Sequence, residues 1–371
     1  MQQFNFIFSF FLALFSLSLL ATEFATEQPV RLNQLQVIGS HNSYKSGLHT
    51  EIAKQINQIQ TGYADKINYA HPDLSKQLDM GLRQLEIDVL ADSYGGRYLQ
   101  PFAQRWTQTP LHNTAQKQAL KAPGFKVLHI PDIDVATHCI QLKDCLLKLK
   151  NWSSQHPSHL PVYILFNVKE SHWKKIDGTV PEMFTTHHYQ EFDQLIGQIL
   201  GPEKLISPDD LIRSGYTLAE SITTFGWPTL QQARGKFVFI FDANARQLDL
   251  FEQANTHHIF AAFPVTHPNA AFLIYNHPVR QAEQIKQAIE QGFIVRTRAD
   301  EFNQNQSPKN RAFNAIRSGA QIISTDFYKG ALQTPLNAPF VSFNLISNRP
   351  VGQNTPFARC IRLAPDSSCP L

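Results

Sequence analysis

Short apolar runs rich in β-branched and aromatic residues recur along the chain, and each predicts a buried strand. They lie at residues 35–40, 82–90, 125–130, 161–168, 236–242, 292–298 and 320–327. Several of the stretches between them have the composition of helices, at residues 72–81, 137–155, 188–200, 279–291 and 309–318. Strands that alternate with helices indicate an α/β fold with a parallel sheet, either open or closed.

Polar side chains cluster at the C-terminal ends of these runs. GSHN lies across the end of the first run, the second contains E-x-D, the third has a His as its last residue but one, the fourth leads into N-x-K-E and the last contains STD. Because α/β barrels build their active sites from those strand ends, the pattern predicts a TIM-type (β/α)8 barrel. Two long polar insertions, residues 92–124 and 171–235, are expected to form loops that shape and distort its mouth. The tail, residues 331–371, is expected to pack on the outside.

The N-terminal segment differs from the rest of the chain. Residues 4–21 are almost wholly apolar or small, and residues suited to cleavage follow as far as Ala25. This pattern predicts a signal peptide over residues 1–25, a single domain over residues 26–371 and a secreted or periplasmic protein. No Lys or Arg precedes the apolar run, and about 18 apolar residues can just span a bilayer, so a retained membrane anchor is the alternative.

Composition narrows the class of protein. The net charge of +3, without a dense Lys/Arg run, argues against a dedicated nucleic-acid binder. Four cysteines form two close pairs, Cys139 with Cys145 and Cys360 with Cys369. In an exported chain an even number of cysteines suggests disulfides, and the two local pairings are the simplest of those possible. Buried free thiols are the alternative.

Two histidines at the ends of runs are the candidate acid–base groups. His41 follows the first run, in GSHNSY, and His129 lies near the end of the third. Histidine has the side-chain pKa nearest neutrality, so one ring could accept a proton from an attacking oxygen while the other protonates the leaving oxygen. The alternative is a structural role for either one, since a single His after a strand is more often structural than catalytic.

Oxygen-bearing side chains close to these histidines predict a site for a hard cation. Glu86 and Asp88 share one face of the second run because strand side chains alternate. Two such carboxylates repel each other unless a cation or a proton relieves them. Asn42 adds a neutral oxygen, and the resulting set suits calcium or magnesium better than zinc. An exposed edge strand with a solvated acidic face is the alternative.

Further polar residues are candidates for the same site. Either Asn167 or Glu170 could complete the metal sphere. Arg and Asp side chains together recognise phosphates or polyols through charge-assisted hydrogen bonds, and a Lys can bind a phosphate oxygen. The candidate substrate-binding residues are Lys169, Arg296, Arg298, Asp326 and Tyr328. For the arginines and their late partners, salt bridges that close the barrel are the alternative.

The order of these motifs resembles a known family. GSHNSY, LEIDV, KVLHIPDID and N-x-K-E, followed by VRTRAD and SGAQIISTDF, are similar to the phosphatidylinositol-specific phospholipase C superfamily, and most of all to its calcium-dependent bacterial type. The resemblance covers about residues 35–330. The motifs are fairly specific jointly, although each is weak alone.

The resemblance implies a TIM-type barrel that cleaves phosphatidylinositol between glycerol and phosphate, with calcium rather than magnesium as cofactor. The residues that match the family by position are His41 as general base, His129 as general acid, and Asn42, Glu86 and Asp88 as calcium ligands. Asn167 stands where a glutamate is usual, so the last ligand stays open between Asn167 and Glu170. The implied partners are a phosphoinositide lipid and, transiently, a membrane surface, and we expect a monomer.

Two other functions remain open from the sequence. Glycerophosphodiester phosphodiesterases have a similar arrangement of two histidines and a metal. They usually show His-Arg-Gly after the first strand, where this chain has His41, Asn42 and Ser43. The other hypothesis is a barrel that binds inositol lipids without turnover. Hydrolysis of phosphatidylinositol, of a glycerophosphodiester or of neither would separate the three.

Overall fold

The computed structural model describes residues 29–301, 308–332 and 358–360. Eight parallel strands in this part of the chain form a nearly closed, TIM-like barrel. They are β1 Leu35–Ser40, β2 Gln84–Val89, β3 Val162–Val168, β4 Phe237–Asp242, β5 Ile259–Ala261, β6 Phe272–Ile274, β7 Ile294–Arg298 and β8 Ile322–Thr325. Their hydrogen-bonded order is β5-β4-β3-β2-β1-β8-β7-β6. The predicted α/β barrel is therefore confirmed.

Helices lie between the strands, and many of them begin after a residue whose side chain caps the first turn. The described helices are α1 Thr50–Ile59, α2 Tyr63–Ile67, α3 Leu74–Asp79, α4 Thr114–Lys121, α5 Leu142–Gln155, α6 Thr186–Leu200, α7 Pro208–Leu211, α8 Leu218–Phe225, α9 Leu230–Ala233, α10 Ala245–Ala254, α11 Ala282–Glu290 and α12 Pro308–Arg317. Before α10, for example, Asn244 Oδ1 accepts a hydrogen bond from the Gln247 backbone N–H at 3.1 Å. The five predicted helices correspond to α3, α5, α6, α11 and α12.

Side chains alternate between the two faces of the barrel strands, as a period of two requires. Phe166 of β3 points outwards and contacts Phe192 of α6, with ring centroids 4.7 Å apart. Tyr163 of the same strand points into the lumen, where its ring contacts that of Phe272 on β6. The lumen is apolar toward the N-terminal ends of the strands and becomes polar toward their C-terminal ends, which is where the candidate site residues lie.

The predicted strand at residues 125–130 is wrong. Lys126 forms isolated antiparallel bridges with Leu90 and Gln141, so this segment is a loop folded against the end of β2. The Lys126 ammonium is buried and lies 3.1 Å from Asp92 Oδ2, which ties the segment to the loop after β2. The strand that follows β2 in the chain and pairs with it in the barrel is β3. The sequence also missed β5 and β6, which are too short for a periodic pattern.

The insertion at residues 171–235 was expected as loops at the mouth, but it is largely helical and reaches the opposite end of the barrel. Leu205 pairs with Phe237 at the start of β4. The fully buried indole of Trp227 donates a hydrogen bond to the Gly292 carbonyl, 2.8 Å away and just before β7. This part of the insertion therefore covers the floor of the barrel. The other insertion, residues 92–124, contains a 3-10 turn and α4.

A disulfide joins Cys139 and Cys145, whose Cα atoms are 5.5 Å apart. This local pairing was one of the two predicted. It links the end of the loop that carries His129 to the first turns of α5, so the loop is covalently fastened to the outer layer of the barrel.

The described part of the C-terminal tail is a short strand, β9 Ala358–Cys360, which pairs antiparallel with the first half of β1. Cys369 and the predicted signal peptide lie outside the described residues. Within the ranges given above, no helix is long and apolar enough to cross a membrane.

Gly39 of β1 pairs with Gln84 of β2, and the lack of space beside it generates a test of the barrel. A Cβ atom at this position would lie 2.2 Å from Gln84 Oε1 and 2.4 Å from the Gln84 carbonyl oxygen. We expect Gly39→Ala to lower the free energy of unfolding by roughly 1–3 kcal/mol, the usual cost of overpacking a buried site. Urea denaturation measures this loss, and an unchanged midpoint would contradict the close approach of the two strands.

Candidate active site

His41 lies at the mouth of the barrel, directly after β1. Its Nδ1 is 3.3 Å from Asp326 Oδ1, just beyond β8, and its Nε2 is 3.8 Å from Glu86 Oε1 on β2. A carboxylate can only accept a hydrogen bond, so Asp326 favours the tautomer with the proton on Nδ1. In that tautomer Nε2 carries a lone pair at the mouth of the lumen.

The electrostatic surroundings keep His41 uncharged. Burial and the nearby Arg298 guanidinium hold the pKa of His41 well below its usual value, and the Glu86 carboxylate opposes them only in part. A neutral imidazole at neutral pH can accept a proton, which is the property that a general base requires.

Asn42 has a left-handed backbone, with φ 47°. Its Oδ1 faces Asp88 and lies 3.2 and 3.3 Å from the two carboxylate oxygens, an arrangement of acceptors without a donor. Turning the amide over would let its nitrogen donate to Asp88 instead. In that orientation its oxygen also accepts hydrogen bonds from His129 Nε2 at 3.2 Å and from the Tyr69 hydroxyl at 2.6 Å, so both amide atoms have partners.

Glu86 and Asp88 are both buried and point into the lumen from β2. Glu86 Oε2 accepts a hydrogen bond from Arg296 at 2.5 Å. Asp88 Oδ2 accepts one from the Tyr44 hydroxyl at 2.8 Å and lies 3.1 Å from Lys169 Nζ. Each carboxylate therefore has a cationic neighbour, as buried charges require.

A further carboxylate, Asp242, lies at the same level and was missed by the sequence analysis. It ends β4, where its Cα pairs with that of Asn167, which pairs in turn with that of Asp88. Burial raises the pKa of Asp242, Arg296 lowers it and Glu86 raises it. The signal was in the sequence, since this Asp ends an apolar strand at the position equivalent to Asp88.

His129 lies in the loop after β2 rather than at a strand end, yet it reaches the same mouth. Its Nδ1 is 2.6 Å from Asp134 Oδ2. The buried Lys45 forms an ion pair with the same carboxylate and lies 3.4 Å from His129 Nδ1. Burial and Lys45 lower the pKa of His129, whereas Asp134 raises it. Asp134 and Lys45 were not predicted, although Asp134 lies within the quoted KVLHIPDID motif.

Tyr69 connects the two histidines. Its ring centroid lies 5.4 Å from that of His41 and 6.2 Å from that of His129, and its hydroxyl is 2.6 Å from the Asn42 amide. The charge of a protonated His129 would also lower the pKa of His41, as a smaller contribution after burial and the neighbouring arginines. The structure thus brings both predicted histidines to one space.

The two candidates for the last metal ligand lie apart. Asn167 stands between Asp88 and Asp242 in the strand register. Glu170 has other partners: its Oε1 accepts a hydrogen bond from the Phe184 backbone N–H at 2.7 Å, and it also pairs with Arg246 at the start of α10. Of the two, only Asn167 lies in the row of site residues.

The predicted substrate-binding residues divide into two groups. Lys169 and Arg296 lie against the lumen carboxylates, and Arg298 NH2 is 3.4 Å from Asp326 Oδ2. Tyr328 is fully buried and stacks on His71, and its hydroxyl is 3.0 Å from His71 Nδ1. Because His71 Nε2 lies 2.8 Å from the His41 carbonyl oxygen, Tyr328 supports the backbone at His41 from behind.

The donor types at the mouth fit a hard cation. The carboxylates of Glu86 and Asp88 and the amide of Asn42 are buried at the ends of β1 and β2, and these are ligand types that calcium takes. Among the residues that the structure describes, no three His, Cys, Asp or Glu side chains are close enough together to hold an ion. Lys169 and Arg296 neutralise Asp88 and Glu86 in this state.

Comparison with known families identifies the family of this chain. The model of the family described as "Phosphoinositide phospholipase C, Ca2+-dependent" matches residues 30–345. The chain therefore belongs to the calcium-dependent phosphoinositide phospholipase C family, which is a family of phosphodiesterases. Curated proteins gave no match.

Solved structures show the same fold. A calcium-dependent phosphoinositol-specific phospholipase C from a Pseudomonas species, in its apo form, is 17% identical, with a TM-score of 0.52; the match covers 83% of this chain and 94% of that one. A structure of the Pseudomonas enzyme described as a myoinositol complex matches with the same identity and TM-score and covers 84% of this chain and 94% of that one.

The electrostatics of His41 can be tested without an activity assay. Arg298→Gln removes a positive charge that lowers the pKa of His41, so we expect that pKa to rise. NMR titration of the histidine ring signals measures the change. The exposed Arg280→Gln variant is the control and should leave the His41 titration where it is. A fall in the pKa of His41 in Arg298→Gln would contradict the described surroundings.

Proposed function

We propose that this protein is a calcium-dependent phosphodiesterase that cleaves phosphatidylinositol between glycerol and phosphate, with His41 as general base and His129 as general acid. The observation that carries the proposal is the pair of histidines that contact one Tyr69 ring, each with its Nδ1 next to a carboxylate. One ring can then accept a proton from the attacking oxygen while the other donates a proton to the leaving oxygen.

His41 would begin the reaction. Its Nε2 accepts the proton of the inositol 2-hydroxyl, and the resulting oxygen attacks phosphorus. Asp326, held by Arg298 on its other oxygen, stabilises the imidazolium through Nδ1. Because burial keeps the ring neutral beforehand, it is ready to accept this proton at neutral pH.

His129 would complete the cleavage. As the bond between phosphorus and the glycerol oxygen breaks, that oxygen takes a proton from His129 Nε2, which yields diacylglycerol and a cyclic inositol phosphate. Asp134 lies next to Nδ1. Burial and Lys45 lower the pKa of His129 while Asp134 raises it, so the protonated ring would release its Nε2 proton readily. Water can then open the cyclic product, with the histidine roles exchanged.

Asn42, Glu86 and Asp88 would hold the calcium ion, which neutralises charge on the non-bridging oxygens of the phosphate. Lys169 and Arg296 border the same carboxylates. Both side chains would also bind the phosphate or the inositol through charge-assisted hydrogen bonds. The choice of an inositol head group is supported by the family and by the Pseudomonas relative described as a myoinositol complex.

We further propose that the protein acts outside the cytoplasm, as a monomer that meets a membrane surface transiently. The disulfide between Cys139 and Cys145 supports this location, because such bonds persist in oxidising compartments. The signal peptide expected over residues 1–25 agrees with it.

The first test separates the two histidine roles. We expect His41→Ala and His129→Ala each to reduce turnover of phosphatidylinositol in vesicles by at least about a hundredfold, the lower range for a general acid or base. A substrate with inositol phosphate bonded to p-nitrophenol needs no proton on its leaving oxygen. On that substrate His129→Ala should recover much of its rate, and His41→Ala should not.

His187→Ala, on the exposed part of α6, is the matched control and should keep full activity. Near-normal turnover in either site variant would remove that histidine from the mechanism. Hydrolysis of glycerophosphocholine instead of phosphatidylinositol would favour a glycerophosphodiesterase. Vesicle binding without hydrolysis of either substrate would favour a silent lipid-binding barrel.

The second test concerns calcium. Glu86→Gln removes one charged oxygen ligand, so we expect the calcium concentration for half-maximal activity to rise by about tenfold or more. Activity is measured across a range of buffered free calcium. Unchanged calcium dependence would mean that Glu86 is not a ligand, and full activity of the wild-type enzyme in chelator would exclude calcium from the reaction.

A further inference from the structure

We propose that Asp132 is a positioning residue for the general acid: its carboxylate holds the turn that joins His129 to Asp134, and it thereby fixes the orientation of the His129 ring. This inference rests on the general-acid role proposed for His129 above. Asp132 acts through the backbone of the turn and not on the substrate.

His129 needs such support because no barrel strand carries it. A barrel strand is held along its length by hydrogen bonds to two neighbours, whereas the segment at residues 125–130 forms only isolated backbone bridges. The disulfide between Cys139 and Cys145 fastens the other end of this loop. Between the bridges and the disulfide, the position of the loop depends on contacts made by its own residues.

A tight turn separates His129 from its carboxylate partner. The backbone N–H groups of Ile133 and Asp134 donate hydrogen bonds to the Ile130 carbonyl oxygen, at 3.3 and 3.0 Å. His129 directly precedes this turn and Asp134 ends it, and His129 Nδ1 lies 2.6 Å from Asp134 Oδ2. The shape of the turn therefore determines how the carboxylate meets the imidazole ring.

Asp132, at the tip of this turn, has a left-handed backbone with φ 75°. Pro131 before it completes the pattern of a type II turn, in which glycine or asparagine is usual at the left-handed position. Glycine would adopt this conformation without steric cost, whereas most other residues avoid it. Local backbone preference does not explain an aspartate here, so the reason lies in the contacts of its side chain.

The Asp132 carboxylate ties the turn to the two long insertions. Its Oδ1 accepts hydrogen bonds from the Phe102 backbone N–H at 2.8 Å and from the Thr179 hydroxyl at 3.2 Å. Its Oδ2 accepts one from the Thr179 backbone N–H. The Asp132 carbonyl oxygen accepts another from the Ala103 backbone N–H at 2.9 Å. Only 4% of Asp132 is exposed, so these donors take the place of water.

Packing holds the same three segments together. Ile133, next to Asp132, is fully buried in one apolar cluster with Ala103 and Trp173, which come from the two insertions. The space around the carboxylate is also closely filled, because a Cβ atom at Gly178 would lie 2.7 Å from Asp132 Oδ2. The carboxylate therefore has little freedom to move, and the turn has little freedom to move with it.

The first variant removes half of the anchor and leaves the turn possible. Asp132→Asn keeps the size of the side chain and the tolerance for a left-handed backbone, but an amide has one oxygen to accept from two loops. Displacement of a catalytic group by about 1 Å can cost on the order of a hundredfold in rate. We expect this smaller disturbance to lower kcat for phosphatidylinositol in vesicles about tenfold, with little change in KM.

The leaving group distinguishes positioning from general stability. On the substrate with a p-nitrophenol leaving group, which needs no proton from His129, Asp132→Asn should keep most of its rate. Asp177→Asn makes the same chemical change at an exposed position of the neighbouring loop, and it should keep full activity on both substrates. The Tm of each variant is measured alongside.

A second variant reaches the carboxylate from the other loop. Gly178 does not have a left-handed backbone, so Gly178→Ala is compatible with the chain but crowds Asp132 Oδ2, and it should cause the same selective loss. In the Asp132→Gly background the carboxylate is absent and glycine can adopt the φ of the turn. Adding Gly178→Ala to that background should therefore change nothing further, as expected for two residues that act through one contact.

An equal fall in rate on both substrates, together with a fall in Tm, would show a structural role and overturn the proposal. Unchanged turnover of both substrates in Asp132→Asn and Gly178→Ala would overturn it as well. If Asp132→Asn does not fold, Gly178→Ala decides by the same criteria.

The variant His129→Ala separates this inference from the proposed function. If His129→Ala slows both substrates equally, the general-acid role is wrong and the inference about Asp132 is wrong with it. A selective loss in His129→Ala, without one in either Asp132→Asn or Gly178→Ala, would refute the positioning role alone.

Discussion

The ion pair between Glu86 and Arg296 spans the lumen and organises the mouth of the barrel. It joins β2 to β7, which are separated in the sheet by β1 and β8, and both side chains are almost fully buried. A charge in such a place is tolerated only with a partner, because the cost of desolvation is several kcal/mol for each ion. The pair also sets the direction of the Glu86 carboxylate, whose other oxygen faces His41.

The remaining charges follow the same constraint in a chain of contacts. Arg298 neutralises Asp326, which in turn favours one tautomer of His41. Lys45 neutralises Asp134, which does the same for His129. Each histidine therefore has one ring nitrogen next to a carboxylate, and a cation contacts that carboxylate as well. The two arrangements are similar, although they are built from unrelated parts of the chain.

Much of this could be predicted from the sequence, because strand periodicity is local. The pattern E-x-D within an apolar run places Glu86 and Asp88 on one face regardless of the rest of the fold. The same rule applied to the end of the run at residues 236–242 would have found Asp242. The partners Asp134 and Lys45 could not be assigned in this way, since their contact with His129 depends on how two loops fold against each other.

The error at residues 125–130 has a similar origin. FKVLHI has the composition of a strand, and only the pairing of its backbone decides whether it joins the barrel. Lys126 in this segment forms isolated bridges with Leu90 and Gln141, and its buried ammonium pairs with Asp92. None of these three partners lies in a barrel strand. The predicted strand is absent, but His129 still lies at the mouth. The loop that carries it packs beside the end of β2, in the region where the predicted strand would also have ended.

The barrel is joined by hydrogen bonds all the way round except between β5 and β6, which are unpaired within the described residues and are its shortest parallel strands. β1, β2, β7 and β8, which carry or precede most of the polar groups at the mouth, are all internal to that ribbon. In mechanical terms the barrel is a split ring whose gap lies opposite β1 and β2. We expect thermal widening to occur at the gap, where no hydrogen-bonded ladder has to stretch, and the spacing of the candidate site residues on the far side to stay nearly constant.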